Sequence, residues 1–266
     1  MDLERSWNEQ GFFIKRGLID EDEVAAIEAE IVAAIRADPP RNHGGERLYP
    51  TVDDLLIYPE KSPSPAARNP EDYIAKVFNG HCVGTAKAIA TDPRLTDPLA
   101  PLLGANLDCF QSQFIFKNPG VIGQPWHQDS YYFRYDRQPQ ATVWVALSAA
   151  TLDNGCLWVV PGSHRAHEVF DHVPDQRPES LQGYLEIVSQ DTSMEEPVLM
   201  EPGDVLFFHS YLMHRSTDNI ADYRRSAMVY HYAENGTQPI DALAAATLAP
   251  VNRWMPARRA ATPLSA

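Results

Sequence analysis

Leu107-Asp108-Cys109-Phe110-Gln111-Ser112-Gln113-Phe114-Ile115-Phe116-Lys117 is the stretch on which the fold turns. It carries no proline or glycine and ends at Asn118-Pro119-Gly120, a strong turn signal, so it reads as a long strand. Downstream the same grammar repeats. Short apolar runs at 142–147, 157–160, 198–200, Val205–His209 and 226–232 are separated by Gly, Pro and Asn, which predicts a β-sandwich or barrel and not an alternating α/β chain. Upstream the period changes. In residues 20–37 an N-cap aspartate, Asp20, precedes Glu21, Asp22 and Glu23, and Val24, Ile27, Ile31 and Ile35 recur at helical spacing. Helical stretches are also expected at 81–90 and 95–103, a short strand at 11–15, and a long ordered loop or lid at 39–70. The chain therefore reads as one domain over 1–266: helical support and a lid loop in 1–105, a strand-built core in 106–236, and a C-terminal extension in 237–266.

Composition narrows the function classes. With 44% hydrophobic residues the chain has enough apolar matter for a real core. A formal net charge of −14 would repel a polyphosphate, so nucleic acid is not an expected partner. No apolar run reaches the ~20 residues of a membrane span, and Met1-Asp2-Leu3-Glu4-Arg5 lacks the layout of a secretion signal, so a cytoplasmic location is expected. Cys82, Cys109 and Cys156 are too few and too scattered for a disulfide framework or a zinc site. Nothing in the sequence specifies an oligomeric state.

The chemistry concentrates in two places. In Trp126-His127-Gln128-Asp129 an extended backbone would put His127 and Asp129 on one face, two ligands for a divalent metal. The run Phe207-Phe208-His209-Ser210-Tyr211-Leu212-Met213-His214-Arg215-Ser216 reads as an apolar strand ending in a second histidine, with Arg224 and Arg225 following on the next strand. Two histidines and a carboxylate leave coordination positions open, as in iron(II) oxygenases, and a nearby arginine suits a carboxylate bidentately. His209, His231 and His164 read as structural histidines, and Asn154-Gly155 as a turn without chemistry. The aromatic residues Trp126, Tyr131, Tyr132, Phe133 and Tyr135 suit either plain core or a pocket wall. Arg41, Arg47, Arg165 and Arg177 read as solvated loop residues. Two other readings of the ligands stay open at this point: a non-catalytic cupin-like metal-binding protein, and a zinc hydrolase.

The order His127-x-Asp129, His214 and Arg225 resembles the phytanoyl-CoA dioxygenase family of iron(II)/2-oxoglutarate oxygenases. So do Lys76 in Tyr73-Ile74-Ala75-Lys76-Val77-Phe78, the run from Phe110 to Gly120 and the run from Leu152 to His164. The resemblance implies a mainly β fold with helices: a double-stranded β-helix, or jelly roll, buttressed by N-terminal α-helices. It implies an Fe(II)- and 2-oxoglutarate-dependent dioxygenase that uses O2, hydroxylates a small organic molecule and yields succinate and CO2. It makes His127, Asp129 and His214 the iron ligands and Arg225 the partner of the far carboxylate of 2-oxoglutarate, with Ser216 bonded to the same group. Lys76, Gln111 and Trp144 would line the co-substrate pocket. Relatives that halogenate carry a small residue where Asp129 stands, so Asp129 implies hydroxylation. Substrate choice would rest with the loops at 39–70 and 164–193.

Overall fold

The computed structural model describes residues 2–39, the backbone of 49–50, and residues 55–180 and 184–260. A large antiparallel sheet forms its centre, with neighbours in the order Phe12–Lys15, Val205–His209, Ala141–Ala146, Arg225–Glu234, Leu107–Lys117, Ile74–Phe78, Leu56–Pro59 and Tyr49–Pro50. Met255–Arg258 pairs with the start of Leu107–Lys117. A smaller sheet, Glu196–Val198, Leu157–Val159 and His214–Ser216, forms the second layer, which makes the jelly roll that the resemblance implied.

The pleat decides what each strand residue does. In Ala141–Ala146 the side chains of Val143 and Val145 join the core under the helices, while Trp144 and Ala146 join the core between the sheets. Phe207 against Leu206 and Phe208, and Met228 and Tyr230 against Ala227 and Val229, divide in the same way. The outer layer is capped chiefly by Glu21–Ala37, whose Val24, Ile27, Ile31 and Ile35 are its buried stripe. Its start is fixed by a capping box in which the Asp20 carboxylate accepts from the Glu23 N–H and the Glu23 carboxylate from the Asp20 N–H. Burying Ile27, Ile31 and Ile35, each at most 1% exposed, stabilises this docking by roughly 1.5–3 kcal/mol per side chain.

Several expectations need correction. Residues 55–70 are not all loop: Leu56–Pro59 is a strand paired with Ile74–Phe78, while 40–48 and 51–54 of the expected lid, with Arg41 and Arg47, lie outside the described residues. The 95–103 helix is two short ones, Pro93–Thr96 and Ala100–Leu103, because Pro98 interrupts the first. The 198–200 strand sits two residues earlier, at Glu196–Val198. The strand through Phe207 stops at His209, and the chain turns before His214 begins a strand of the smaller sheet. The large sheet also recruits strands from both flanks of 106–236, and a helix, Ala242–Leu248, follows it.

Candidate active site

His127 and His214 are drawn together by the backbone before their side chains act. The His127 N–H donates to the His214 carbonyl at 2.9 Å, and the His214 N–H returns the bond at 3.0 Å. Gln128 is extended and Asp129 opens the short helix Asp129–Tyr132, so His127 and Asp129 share a face. Donor atoms of His127, Asp129 and His214 all lie within 4.8 Å of one another, and all three residues are buried. Asp129 Oδ1 is 4.0 Å from His127 Nε2 and 3.8 Å from His214 Nε2.

The surroundings fix which atom each group presents. His127 Nδ1 lies 2.8 Å from the Pro125 carbonyl and His214 Nδ1 lies 3.0 Å from the Leu212 carbonyl. A carbonyl only accepts, so both Nδ1 atoms carry the proton and both Nε2 lone pairs are left free, as a metal requires. Asp129 is held likewise. The Thr142 hydroxyl donates to Oδ2 and itself accepts from His231 Nδ1 at 3.0 Å, leaving Oδ1 toward the two imidazoles. His231 Nε2 then accepts from the Gln113 amide at 3.3 Å. Burial pushes the Asp129 carboxyl up, but His214, His231 and His127 pull it further down, so the anion is favoured. Burial holds His127 well below its ordinary value and His231 at about 4.

A cavity of about 440 Å³ runs from these ligands along the inner face of the large sheet. Arg225 and His231 project into it from one strand, six residues or about 20 Å of strand apart. The His231 end is walled by Gln111, Gln113, Phe133, Leu248 and Val251. The Arg225 end holds Lys76, Lys117, Ser216, Trp144, Tyr184 and Glu60. Arg225 is 2% exposed, its Nη2 donates to the Gly155 carbonyl at 2.9 Å, and its Nε and Nη1 have no partner. Its guanidinium lies 5.3 Å from the Trp144 ring centroid, and burial lowers it to about 10. Arg224 points elsewhere, to Asn118 Oδ1 at 2.7 Å and Asp72 Oδ1 at 2.6 Å.

Every residue singled out for metal or co-substrate lines this cavity: His127, Asp129, His214, Arg225, Ser216, Lys76, Gln111 and Trp144. Lys76 Nζ donates to Gln124 Oε1 at 3.2 Å and is lowered by burial to about 8. Gln111 donates to Asn252 Oδ1 at 2.8 Å, and Trp144 Nε1 is unpaired. Of the aromatic group only Tyr132 and Phe133 reach the cavity. Arg165 and Arg177 do not, the latter being held by Asp175. His209 packs against His164, with ring centroids 5.0 Å apart, away from the ligands. Sequence reading missed Lys117, Gln113 and the placement of His231, yet the signal was present: stepping by two from Gln111 and from Arg225 reaches all three. It also missed Gly155, whose carbonyl holds Arg225.

A jelly roll in which two histidines and one carboxylate converge on an otherwise open cavity defines the facial-triad class of barrel metalloproteins. Within it the chain belongs to the phytanoyl-CoA dioxygenase (PhyH) family, whose model matches residues 7–227. It is 32% identical to phytanoyl-CoA dioxygenase 1 of Oryza sativa subsp. japonica over 124 residues, 46% of this chain and 43% of that protein. The first curated relatives are thus matched over less than half of their length, 43–49%. It is 27% identical to methylphosphonate hydroxylase of Gimesia maris over 227 residues, 85% of this chain and 77% of the relative. The structure of the epimerase SnoN, described as a complex with Fe3+, alpha ketoglutarate and nogalamycin RO, superposes with a TM-score of 0.64 at 20% identity, covering 91% of this chain and 88% of that one. No helix among the described residues is long and apolar enough to cross a membrane.

Proposed function

We propose that the protein is an Fe(II)- and 2-oxoglutarate-dependent dioxygenase that hydroxylates a small organic substrate and releases succinate and CO2. One observation carries the reading: the cavity that holds three converging metal donors also holds, at its far end, a buried arginine whose Nε and Nη1 have no partner. A dicarboxylate with one end at the metal and the other at Arg225 gives both a partner, the guanidinium contact being charge-assisted. A zinc hydrolase or a non-catalytic cupin gives those donors no partner.

In this reading His127 Nε2, Asp129 Oδ1 and His214 Nε2 would hold iron(II), with Asp129 Oδ2 taken by the Thr142 hydroxyl. Iron with 2-oxoglutarate supplies oxidation of an unactivated C–H bond by O2. The chain's part is placement and exclusion of water. Arg225 and Ser216 set the co-substrate's depth, Lys76, Gln111 and Trp144 flank it, and Phe133, Leu248 and Val251 form an apolar wall for the substrate. The cavity, about 440 Å³, admits a small molecule beside the co-substrate. Methylphosphonate hydroxylase, similar across most of this chain, supports hydroxylation of a compact substrate. Cys82, Cys109 and Cys156 remain thiols, in keeping with a reducing, cytoplasmic setting. The test is iron stoichiometry: the parent should bind one Fe(II) per chain and His214→Ala none, while a His214→Ala protein that keeps stoichiometric iron would place the metal elsewhere.

A further inference from the structure

We propose that Lys117 is a second cationic anchor for the far carboxylate of the co-substrate, acting with Arg225 and Ser216. This rests on the oxygenase reading above and adds a binding residue to it. Lys117 stands directly opposite Arg225 across the antiparallel pair, and both side chains enter the cavity. Like charges directly opposite one another destabilise a sheet. Here they are also buried, at 5% and 2% exposure, and among the described residues neither forms an ion pair. Lys117 Nζ donates only to neutral oxygens, the Ile122 carbonyl and Ser216 Oγ, each at 3.2 Å. Burial and then the Arg225 charge disfavour its ammonium form, and Asp218 and Glu60 temper this only through space. Two buried basic side chains facing each other with no ion-pair partner are the complement of an anion brought from outside.

Counting donors sharpens the match. Ser216 Oγ accepts from the Gln124 N–H at 3.0 Å and from Lys117, so both lone pairs are used and its hydrogen is left to donate. Lys117 has used two of its three N–H bonds. Arg225 has Nε and Nη1 free. Ser216, Lys117 and Arg225 therefore all keep unused donors, and a carboxylate offers about four lone-pair sites. Gly155 keeps the pair in place: a Cβ there would lie 2.3 Å from Lys117 Cε and 2.5 Å from the Thr217 carbonyl, while its own carbonyl takes Arg225 Nη2.

The experiment is an anaerobic titration of the iron(II)-loaded full chain with 2-oxoglutarate, with pyruvate, a 2-oxo acid lacking the far carboxylate, as control. Lys117→Met should weaken 2-oxoglutarate binding by at least about tenfold, the loss of one charged contact at 1.4 kcal/mol per decade, and leave pyruvate and iron binding unchanged. Its metal-free melting temperature should hold or rise, because a buried basic group with no ion-pair partner has been removed. Lys117→Gln, which keeps a donor for Ser216, gives the same comparison should Met not be tolerated. Parent-like 2-oxoglutarate affinity in both variants, or equal losses for pyruvate and 2-oxoglutarate together with a lowered metal-free melting temperature, would overturn the assignment. A parent that binds iron but no 2-oxoglutarate would instead refute the oxygenase reading.

Discussion

Replacing Arg225 with glutamine removes the guanidinium that the structure leaves half unsatisfied. Its Nε and Nη1 have no partner, and a bound carboxylate would take a charge-assisted pair of hydrogen bonds from the guanidinium. At the lower figure of about 1.5 kcal/mol each, their loss amounts to about 3 kcal/mol, or roughly a hundredfold in dissociation constant. Arg225→Lys keeps the charge but not the fork and should fall between the two. Iron affinity without co-substrate should stay within about twofold, since Arg225 touches none of the three donors. Arg224→Gln is the matched control: its ion pair with Asp72 is partly exposed, with side chains 22% and 20% accessible, so it should cost about 1 kcal/mol of stability or less and nothing in co-substrate affinity. The assay is the metal-to-ligand charge-transfer band of the iron(II) complex as 2-oxoglutarate is added under argon. Parent-like binding by Arg225→Gln would refute the reasoning, and a loss confined to Arg224→Gln would show that the wrong arginine had been chosen.

Three further outcomes follow from the same geometry. Thr142→Val keeps the shape but removes the hydroxyl that fixes Asp129, so Fe(II) affinity should drop about 10–100-fold in a competition titration with a chromophoric chelator. Ile27→Ala opens a cavity where the helix Glu21–Ala37 meets the barrel and should cost roughly 2–5 kcal/mol in denaturant unfolding, with iron affinity of the folded protein unchanged. His209 is held by burial, and by the neighbouring His164 and His167, at about 3 in the folded chain against an ordinary 6.5. The unfolded chain therefore binds the proton more readily, so this contribution is complete above pH 6.5 and is lost as pH falls from there toward 3. Melting temperature should decline across that window in the parent and less steeply in His209→Phe, and equal slopes would contradict it.

Where the sequence spoke clearly, it did so through local rules. The N-cap at Asp20, the turn after Lys117 and the two-residue step from His127 to Asp129 each depend on a few neighbouring residues, and each is found as read. What it hid depends on layers. Ala141–Ala146 is buried on both faces, so no alternation marks which of its side chains meet the helices and which the cavity. That is why Gln113, Lys117 and His231 were passed over although they share a pleat with Gln111 or Arg225. Phe207–His214 was read as one strand because its turn carries no glycine or proline. His209 was correctly kept apart from the ligands: it shares the face of Val205 and Phe207, away from the cavity, and the chain changes sheets after it. The wall formed by Leu248 and Val251 comes from a helix and turn beyond the 106–236 core, a distance across sequence that no local pattern reports.

The account turns on whether this cavity couples 2-oxoglutarate to O2 through iron at His127, Asp129 and His214. Release of labelled CO2 from 2-oxoglutarate labelled at carbon 1, measured with O2 uptake in the same vessel, tests that coupling directly. The iron-loaded parent should release CO2 slowly without an added substrate, one equivalent per O2 consumed, and His214→Ala and Arg225→Gln should fall to background. An iron-loaded parent that binds 2-oxoglutarate yet releases no more CO2 than His214→Ala would contradict the claim.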